Sequence, residues 1–373
     1  MDTQPVCHMI TGLGTGGAER MLVRLISRNP AGQEVISLTG DGPQAGALRE
    51  MGVQVHLFDL RKVSPRLAGK PFALLRLVCR MKPRKIVGWM YHGNLAASFA
   101  ARLGWRVPVI WNIRHSVAEL SREKPVLRAA IKLGARLSRG PERIIYNSHV
   151  AAGQHEKLGY DPGKRLVLPN GIDTEEFAPD VRVRASFRRE LGLTEDHFLV
   201  GHAGRLHPMK DHQCFLQAAA GVAQKAPGVR FALVGKGLEP DSSRLLEKIK
   251  ALGFTEKVHL LGERRDMARF MSGLDVLVSS SAWGEGFPNV VGEAMACGVP
   301  AVVTDVGDSS FVVGSEGCVV PPQDPEALAK ALLEMHGLGP EGRSSLGKRS
   351  RQRIVDNFSL ERVAAMYFKI WKA

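Results

Sequence analysis

Short apolar runs recur along this chain, separated by longer stretches whose apolar positions fall three and four residues apart. In the first half the short runs are VCHMIT, EVISL, VQVHLF, KIVGWM, VPVIWN, RIIYN and RLVLP; in the second they are HFLVGHAG, VRFALVG, KVHLLG, DVLVSS, VPAVVT and GCVVP. Runs of this kind predict strands, whereas the spacing of Met21, Leu22, Leu25 and Ile26 predicts a helix. Strand and helix alternate, and the alternation occurs twice, which predicts two doubly wound parallel sheets of the α/β class. A turn-rich stretch, LPNGIDTEEFAPD at residues 168–180, separates the two series. The expected domains are therefore 1–172 and 173–355, two Rossmann-like lobes facing each other across a cleft. In the tail, DNFSLERVAAMYFKIW, residues Leu360, Val363, Met366 and Ile370 share one helical face, so a helix at about 356–373 is expected to pack back on a domain, the first being the one assigned.

Length and composition agree with two ordinary cores: 373 residues, 44% of them hydrophobic. No apolar run approaches the ~18 residues of a membrane span, and the first strand begins almost at once with no signal-peptide layout, so a cytoplasmic chain is expected. Five cysteines (Cys7, Cys79, Cys214, Cys297, Cys318) form no C-x-x-C pair and read as reduced, buried small hydrophobes. The net charge of +14 is unevenly spread. Residues 1–165 hold 26 Lys and Arg against 11 Asp and Glu, while the remainder holds 25 against 26. Residues 61–118, including RKVSPRLAGK and CRMKPRK, contain 12 basic residues and no acidic one. Such a face attracts phosphate-rich partners, either anionic lipid or nucleic acid, unless it is simply solvated.

The stretch TGLGTGGAER carries Gly12, Gly14 and Gly17 in the G-x-G-x-x-G spacing of a dinucleotide turn, with Asp41 as an acidic candidate after the next strand. Glycines at a strand-to-helix turn also bare backbone N–H groups to any anion, so an anion site is the firmer inference and NAD the weaker. A dehydrogenase would need hydride-transfer residues. The only Tyr-x-x-x-Lys, Tyr160 to Lys164, encloses Pro162 and Gly163, which would break a helix. A nucleic-acid binder, suggested by charge alone, lacks a recognised motif, and the aromatics of the basic stretch fall mainly in strand-like runs.

The second half is denser in chemistry. In GHAGRLHPMKD a strand runs into a glycine turn carrying Arg205 and Lys210, two cations where ligands bind in open α/β sheets. Such a pair can neutralise charge developing on a departing diphosphate, although isolated loop cations usually mean little. In EGFPNVVGEAMACGVP, Glu285 lies in a glycine-flanked loop and Glu293 on the helix that Pro288 begins, where amides near Asn289 and Val290 point out of the helix start. A lone Glu on a helix is usually a solvated charge; the apolar neighbours Val290, Val291, Ala294, Met295 and Ala296 argue for a buried surround here.

With these pieces in order (GGAER, PNGID, GRL with its following Lys, and E-x7-E) the chain resembles the GT-B fold retaining glycosyltransferases of family 4, which build bacterial cell-surface polysaccharides and glycolipids. The resemblance covers essentially the whole chain. It implies that Arg205 and Lys210 hold a nucleotide diphosphate, Glu285 the hydroxyls of the donated sugar, and Glu293 the ribose, helped by backbone at Gly286, Phe287, Asn289 and Val290. Gly16 and Gly17 would approach the diphosphate from the first domain, and backbone near Glu263, Arg264 and Arg265 would line the base. His115 would sit near the reacting carbon, tuned by Glu119 and Arg114, with His92 as a secondary acceptor-side candidate. The donor implied is a UDP-sugar by base rate, the acceptor a glycan or lipid-linked molecule, and the basic first domain would meet an anionic membrane surface on the inner face of the cell membrane. No cofactor is implied and no metal, and the chain has no Asp-x-Asp. A double displacement would need a second carboxyl about 5 Å from the first. With Glu293 given to ribose, a front-face mechanism is expected instead, in which the leaving diphosphate helps deprotonate the acceptor.

Overall fold

A computed structural model of the protein describes residues 4–59 and 69–372. Arg61, Lys62 and Arg66 of the basic stretch lie outside the described residues. Among the described residues there are thirteen strands, one at each run singled out in the sequence: β1 Val6–Ile10, β2 Gln33–Ser37, β3 Gln54–Leu57, β4 Lys85–Trp89, β5 Val109–Ile113, β6 Arg143–Tyr146, β7 Arg165–Val167, β8 Phe198–Ala203, β9 Val229–Val234, β10 Val258–Leu260, β11 Val276–Ser279, β12 Ala301–Thr304 and β13 Cys318–Val320. They form two all-parallel sheets, ordered β3-β2-β1-β4-β5-β6-β7 and β10-β9-β8-β11-β12-β13. In each, the chain winds outward in one direction from the first strand and then restarts on its other side. That reversal opens a crevice at the carboxyl ends of the central strands, where ligands bind in sheets of this kind.

The chain divides into two compact units, one made of Met1–Gly171 with Val363–Ala373, the other of Ile172–Arg362. In unit 1, β1, β4 and β5 are buried along their whole length. That is why they appear in the sequence as continuous apolar runs rather than alternating ones. Gly93 brings the helix Met90–Leu103 against β1 so closely that a Cβ there would lie 2.4 Å from the Met9 carbonyl oxygen. In unit 2, Phe215, Leu216, Ala219 and Val222 of the helix His212–Lys225 share a core with Phe231 and Leu233 of β9 and with Leu328 and Leu332 of the helix Pro325–Gly337. Asp211 starts the first of those helices by accepting from the Cys214 amide at 3.1 Å.

Arg188 lies at the foot of the second sheet with its side chain only 1% exposed, paired to Asp275 at 3.0 Å. It also donates to the carbonyl oxygens of Thr194, Gly273 and His197, and Asp275 accepts from the Leu199 amide at 2.7 Å, so this buried charge has its hydrogen bonds met.

The tail differs from its sequence reading by part of a turn. The helix Leu360–Lys372 buries Leu360, Val363, Ala364, Tyr367 and Trp371, while Met366 and Ile370 are only half-buried. Aromatic residues claim the stripe: Trp371 packs edge-on against His8, and the Tyr367 hydroxyl accepts from Arg114 at 2.8 Å. Lys85 donates to the Ile370 carbonyl oxygen at 3.1 Å. The cysteines are unpaired thiols as expected, but Cys318 on the edge strand β13 is only half-buried, and Cys79 is exposed because its helix Lys70–Met81 turns only Leu74 and Val78 fully inward.

Candidate functional site

In unit 2 the candidate groups gather on the loops that leave β8 and β11. After β8 the chain makes a glycine turn at Gly204, where a Cβ would press on the Lys210 stem at 3.3 Å, and then a tight turn over Pro208–Lys210. After β11 it enters the loop 280–288. The Lys210 ammonium donates to a carboxylate oxygen of Glu285, and the Ser281 hydroxyl donates to the same oxygen at 2.6 Å. Both charged side chains are largely covered, 16% and 11% exposed, so their geometry is fixed more firmly than that of a surface pair.

The supports of this pair were not legible in the sequence. Ser280 donates to the Lys210 carbonyl oxygen at 2.9 Å, and its hydroxyl lies 3.1 Å from Nε2 of His202 on β8. His202 is fully buried, which lowers its pKa well below the ordinary range, with the neighbouring His212 and Lys210 acting in the same direction. Its neutral ring is therefore compatible with an ammonium close by. The Ala282 amide donates to Met209 at 2.9 Å, and the Asp308 amide donates to Gly286 at 2.9 Å. Gly307, at φ +64°, passes the Glu285 backbone so tightly that a Cβ would lie 2.5 Å from its carbonyl oxygen. Only a glycine satisfies both the left-handed backbone and that approach.

Pro288 stands just before the helix Asn289–Ala296 rather than within its first turn, one residue later than the sequence reading. The Val291 and Gly292 amides of that helix donate to the Pro288 carbonyl oxygen at 3.1 and 3.3 Å, while the amides of Asn289 and Val290 stand ahead of that first bond, at the end of a helix where anions bind. Phe287 is buried against Phe358, Val290 is half-buried, and Glu293 is half-buried between the buried Val291 and Ala294. Gly292 faces Ile172 of the PNGID stretch, with a Cβ position 2.9 Å from the isoleucine side chain. Ile172 is held to the chain's last turns through Phe358 and Leu360. Arg205 is exposed and has no ion-pair partner among the described residues. Arg264 is otherwise committed: it pairs with Glu190 at 2.9 Å and Asp266 at 2.7 Å, and those acids raise its pKa further. Its side chain is structural, and Glu263 beside it is exposed, leaving the backbone of that strand end as the part able to meet a base.

In unit 1, Gly16 precedes the helix Gly17–Ser27 with no side-chain cap. A Cβ at Gly16 would lie 2.4 Å from a Glu19 carboxylate oxygen, so an acid of the first turn leans over this amide-rich end. Asp41, the ribose candidate of the dehydrogenase reading, instead accepts from the Gly42 amide at 2.9 Å and faces Arg49 at 3.4 Å. Tyr160 donates to Ile131, and Pro162–Lys164 forms a three-residue turn and not the helix a reductase would need.

His115 follows β5 as expected, but its neighbours are different ones. Glu119 pairs with Arg122 at 2.9 Å, and Arg114 reaches Asn170 and Tyr367. The carboxylate facing His115 is Glu123, 3.5 Å from Nε2, and Nδ1 lies 3.2 Å from the Tyr91 hydroxyl. The short turn Leu120–Arg122 brings Glu123 inward and leaves Glu119 outside. His92 follows the end of β4 by three residues, in the first turn of the helix Met90–Leu103, and lines a different cavity of about 380 Å³ with Phe58, Leu74 and Phe99.

Comparison with known proteins places this arrangement in a family. Residues 15–176 match the Glycosyltransferase Family 4 profile, and residues 197–337 match Glycosyl transferases group 1. The chain is 28% identical over 299 residues to the D-inositol 3-phosphate glycosyltransferase of Salinispora tropica and 30% identical over 307 residues to that of Saccharomonospora viridis. These matches cover 74% and 77% of this chain but 59% and 67% of those relatives. A UDP-Gal:alpha-D-GlcNAc-diphosphoundecaprenol alpha-1,3-galactosyltransferase of Escherichia coli is 28% identical over 214 residues, 55% of this chain and 53% of that one. Among solved structures, HepE of Anabaena in complex with UDP superposes with a TM-score of 0.86 over 99% of both chains at 21% identity. The chain belongs to the family 4, GT-B fold glycosyltransferases.

Proposed function

We propose that this chain transfers a sugar from a nucleotide diphosphate sugar, UDP being the carrier, to a glycan or lipid-linked acceptor. The observation that carries the reading is the Lys210–Glu285 pair at the carboxyl ends of β8 and β11, braced by Ser280 and Ser281. A cation and a carboxylate held this way suit a donor whose two halves ask for opposite things. The diphosphate needs positive charge as it departs, and the sugar hydroxyls need an acceptor. In this reading Lys210 exchanges part of its bond to Glu285 for a phosphate oxygen when donor enters, with Arg205 as the second cation and the amides at Asn289 and Val290 as further donors. These groups meet the developing charge in place of a divalent ion. Glu293 takes the ribose hydroxyls. With Glu293 so occupied, transfer proceeds at the front face with retention, the leaving diphosphate receiving the acceptor's proton.

UDP is supported by the nucleotide in complex with the Anabaena protein and by the UDP-galactose named for the Escherichia coli relative; the latter's diphosphoundecaprenol acceptor supports a lipid-linked one here. A bilayer-facing role for unit 1 is supported by the helices Met90–Leu103 and Pro125–Leu137, between which Arg102, Arg106, Arg136 and Arg139 surround Phe99 and Leu137 in a groove of about 1060 Å³. No helix among the described residues is long and apolar enough to cross a membrane.

The test is thermal unfolding of the purified chain against a panel of nucleotides and nucleotide sugars. At 100 times its dissociation constant, a ligand of the native state adds ~2.7 kcal/mol. Stabilisation by UDP and one UDP-sugar, followed by transfer from that sugar, is expected. Stabilisation by NAD(H) with no response to any nucleotide sugar would overturn the reading.

A further inference from the structure

Behind His115, Tyr91 and His155 form a hydrogen-bonded chain whose direction is fixed by its inner end. His155, on the helix His149–Lys157, is fully buried, and its Nδ1 lies 2.7 Å from the Ala151 carbonyl oxygen. A carbonyl can only accept, so Nδ1 carries the proton. Burial pushes the His155 pKa down to about 4, which leaves the ring neutral and its Nε2 bare. The Tyr91 hydroxyl, 2.8 Å from that Nε2, must therefore donate to it. Burial also raises the Tyr91 pKa well above its ordinary value, so the phenol stays protonated. Its one proton being given to His155, Tyr91 offers His115 Nδ1 a lone pair, and at 3.2 Å that Nδ1 is the donor. His115 has its pKa lowered by desolvation, partly offset by Glu123, so the neutral ring prevails at pH 7. Its outer nitrogen, Nε2, then has no proton; it lies 3.5 Å from a carboxylate oxygen of Glu123, and the His115 side chain is still 33% exposed.

We propose that Tyr91 and His155 are positioning residues that hold His115 in the Nδ1–H tautomer, so that Nε2 and the Glu123 carboxylate form a two-acceptor site for hydroxyl protons of the sugar substrate. Two acceptors side by side with no proton between them are unsatisfied until a ligand brings donors, and a pair of adjacent sugar hydroxyls brings one for each. Had the ring been the Nε2–H tautomer, His115 would instead have donated to Glu123 and closed the site on itself. The proposal rests on the reading of His115 as a substrate-facing group; the tautomer itself does not.

Nitrogen-15 NMR of the histidine rings in the full-length labelled protein at pH 7.5 tests it. Wild type is expected to show His115 neutral, with Nδ1 protonated and Nε2 bare. Tyr91→Phe, which removes the hydroxyl and keeps the ring, is expected to shift His115 toward the Nε2–H form and to lower kcat/KM for transfer ~10-fold, with the dissociation constant for UDP unchanged. An imidazolium or an Nε2–H ring in the wild-type spectrum overturns the tautomer assignment even if Tyr91→Phe fails to fold. An unchanged spectrum in a folded Tyr91→Phe removes Tyr91 from the role. Full turnover in His115→Gln would overturn the substrate-facing part alone, and loss of all nucleotide-sugar binding by wild type would instead count against the proposed function.

Discussion

Lys210 and Glu285 are bonded to each other across 75 residues of chain, the ammonium on the turn after β8 and the carboxylate on the loop after β11. Each is the other's countercharge before any ligand arrives, so the loop after β11 and the turn after β8 are held in one geometry. Preorganised charge of this sort costs no rearrangement at the moment of reaction.

Removing either partner should cost the chemistry more than the fold. Lys210→Ala and Glu285→Ala are each expected to lower the transfer rate ~100- to 1000-fold, with circular dichroism and hydrodynamic radius unchanged. Ser281→Ala removes only a neutral donor to Glu285 and is expected to cost ~10-fold or less. Wild-type turnover in Glu285→Ala would remove the assignment.

Gly307 tests whether the position of the Glu285 loop matters as much as its charge. Gly307→Ala combines a left-handed backbone with a contact 2.5 Å from the Glu285 carbonyl oxygen, and the loop must move to relieve it. Activity should fall at least ~10-fold, although the substituted residue contributes no chemistry. A crystal structure of the variant with Glu285 undisplaced and full activity would contradict this.

Arg188 is a stability residue, not a functional one. Arg188→Ala leaves Asp275 paired to Arg184 at 3.0 Å but strips the carbonyl oxygens of Thr194, Gly273 and His197 of a buried donor, and is expected to destabilise unit 2 by about 1–3 kcal/mol, read as a lower urea midpoint with an unchanged denaturant slope. A loss below ~1 kcal/mol would mean that the pair with Asp275 contributes little.

Stability of unit 1 should fall between neutral and mildly acidic pH. Burial holds His8 and His155 at pKa values of about 4, against ~6.5 in an unfolded chain. As pH drops below ~6.5 the unfolded chain takes up protons that the folded one refuses, so their contribution is full above that value and lost progressively toward pH 4, by at most about 1.4 kcal/mol per pH unit for each histidine. Four of the five tryptophans, all but Trp283, belong to unit 1. Urea unfolding followed by tryptophan fluorescence at pH 7, 6 and 5 therefore reads this unit, and a flat profile would refute the neutral state of both rings.

Membrane binding through unit 1 should be electrostatic and local. Full-length protein is expected to sediment with phosphatidylserine-containing vesicles at low salt and to be released at high salt. With about 1 kcal/mol per basic residue near the surface, Arg136→Ala combined with Arg139→Ala should weaken binding roughly thirtyfold. Equal binding to neutral vesicles would leave the basic groove unexplained.

The central strands were legible because a parallel strand buried on both faces must be apolar throughout, which leaves an uninterrupted mark such as KIVGW in β4 or VLVS in β11. The places of Lys210 and Glu285 could be read in the same way, since each follows a strand at a glycine-marked turn. What the chain order alone determined was therefore the number and kind of elements, and which charged residues fall at their ends. Only the tertiary structure decided the pairings: Ser280 under Lys210, Gly307 against Glu285, Glu123 rather than Glu119 beside His115, Tyr91 and His155 behind it, and the aromatic stripe of the last helix. Periodicity records how one element meets water or core, which each segment largely dictates for itself. A hydrogen bond between distant loops depends on strand order and loop path, and these follow from the packing of all the segments together.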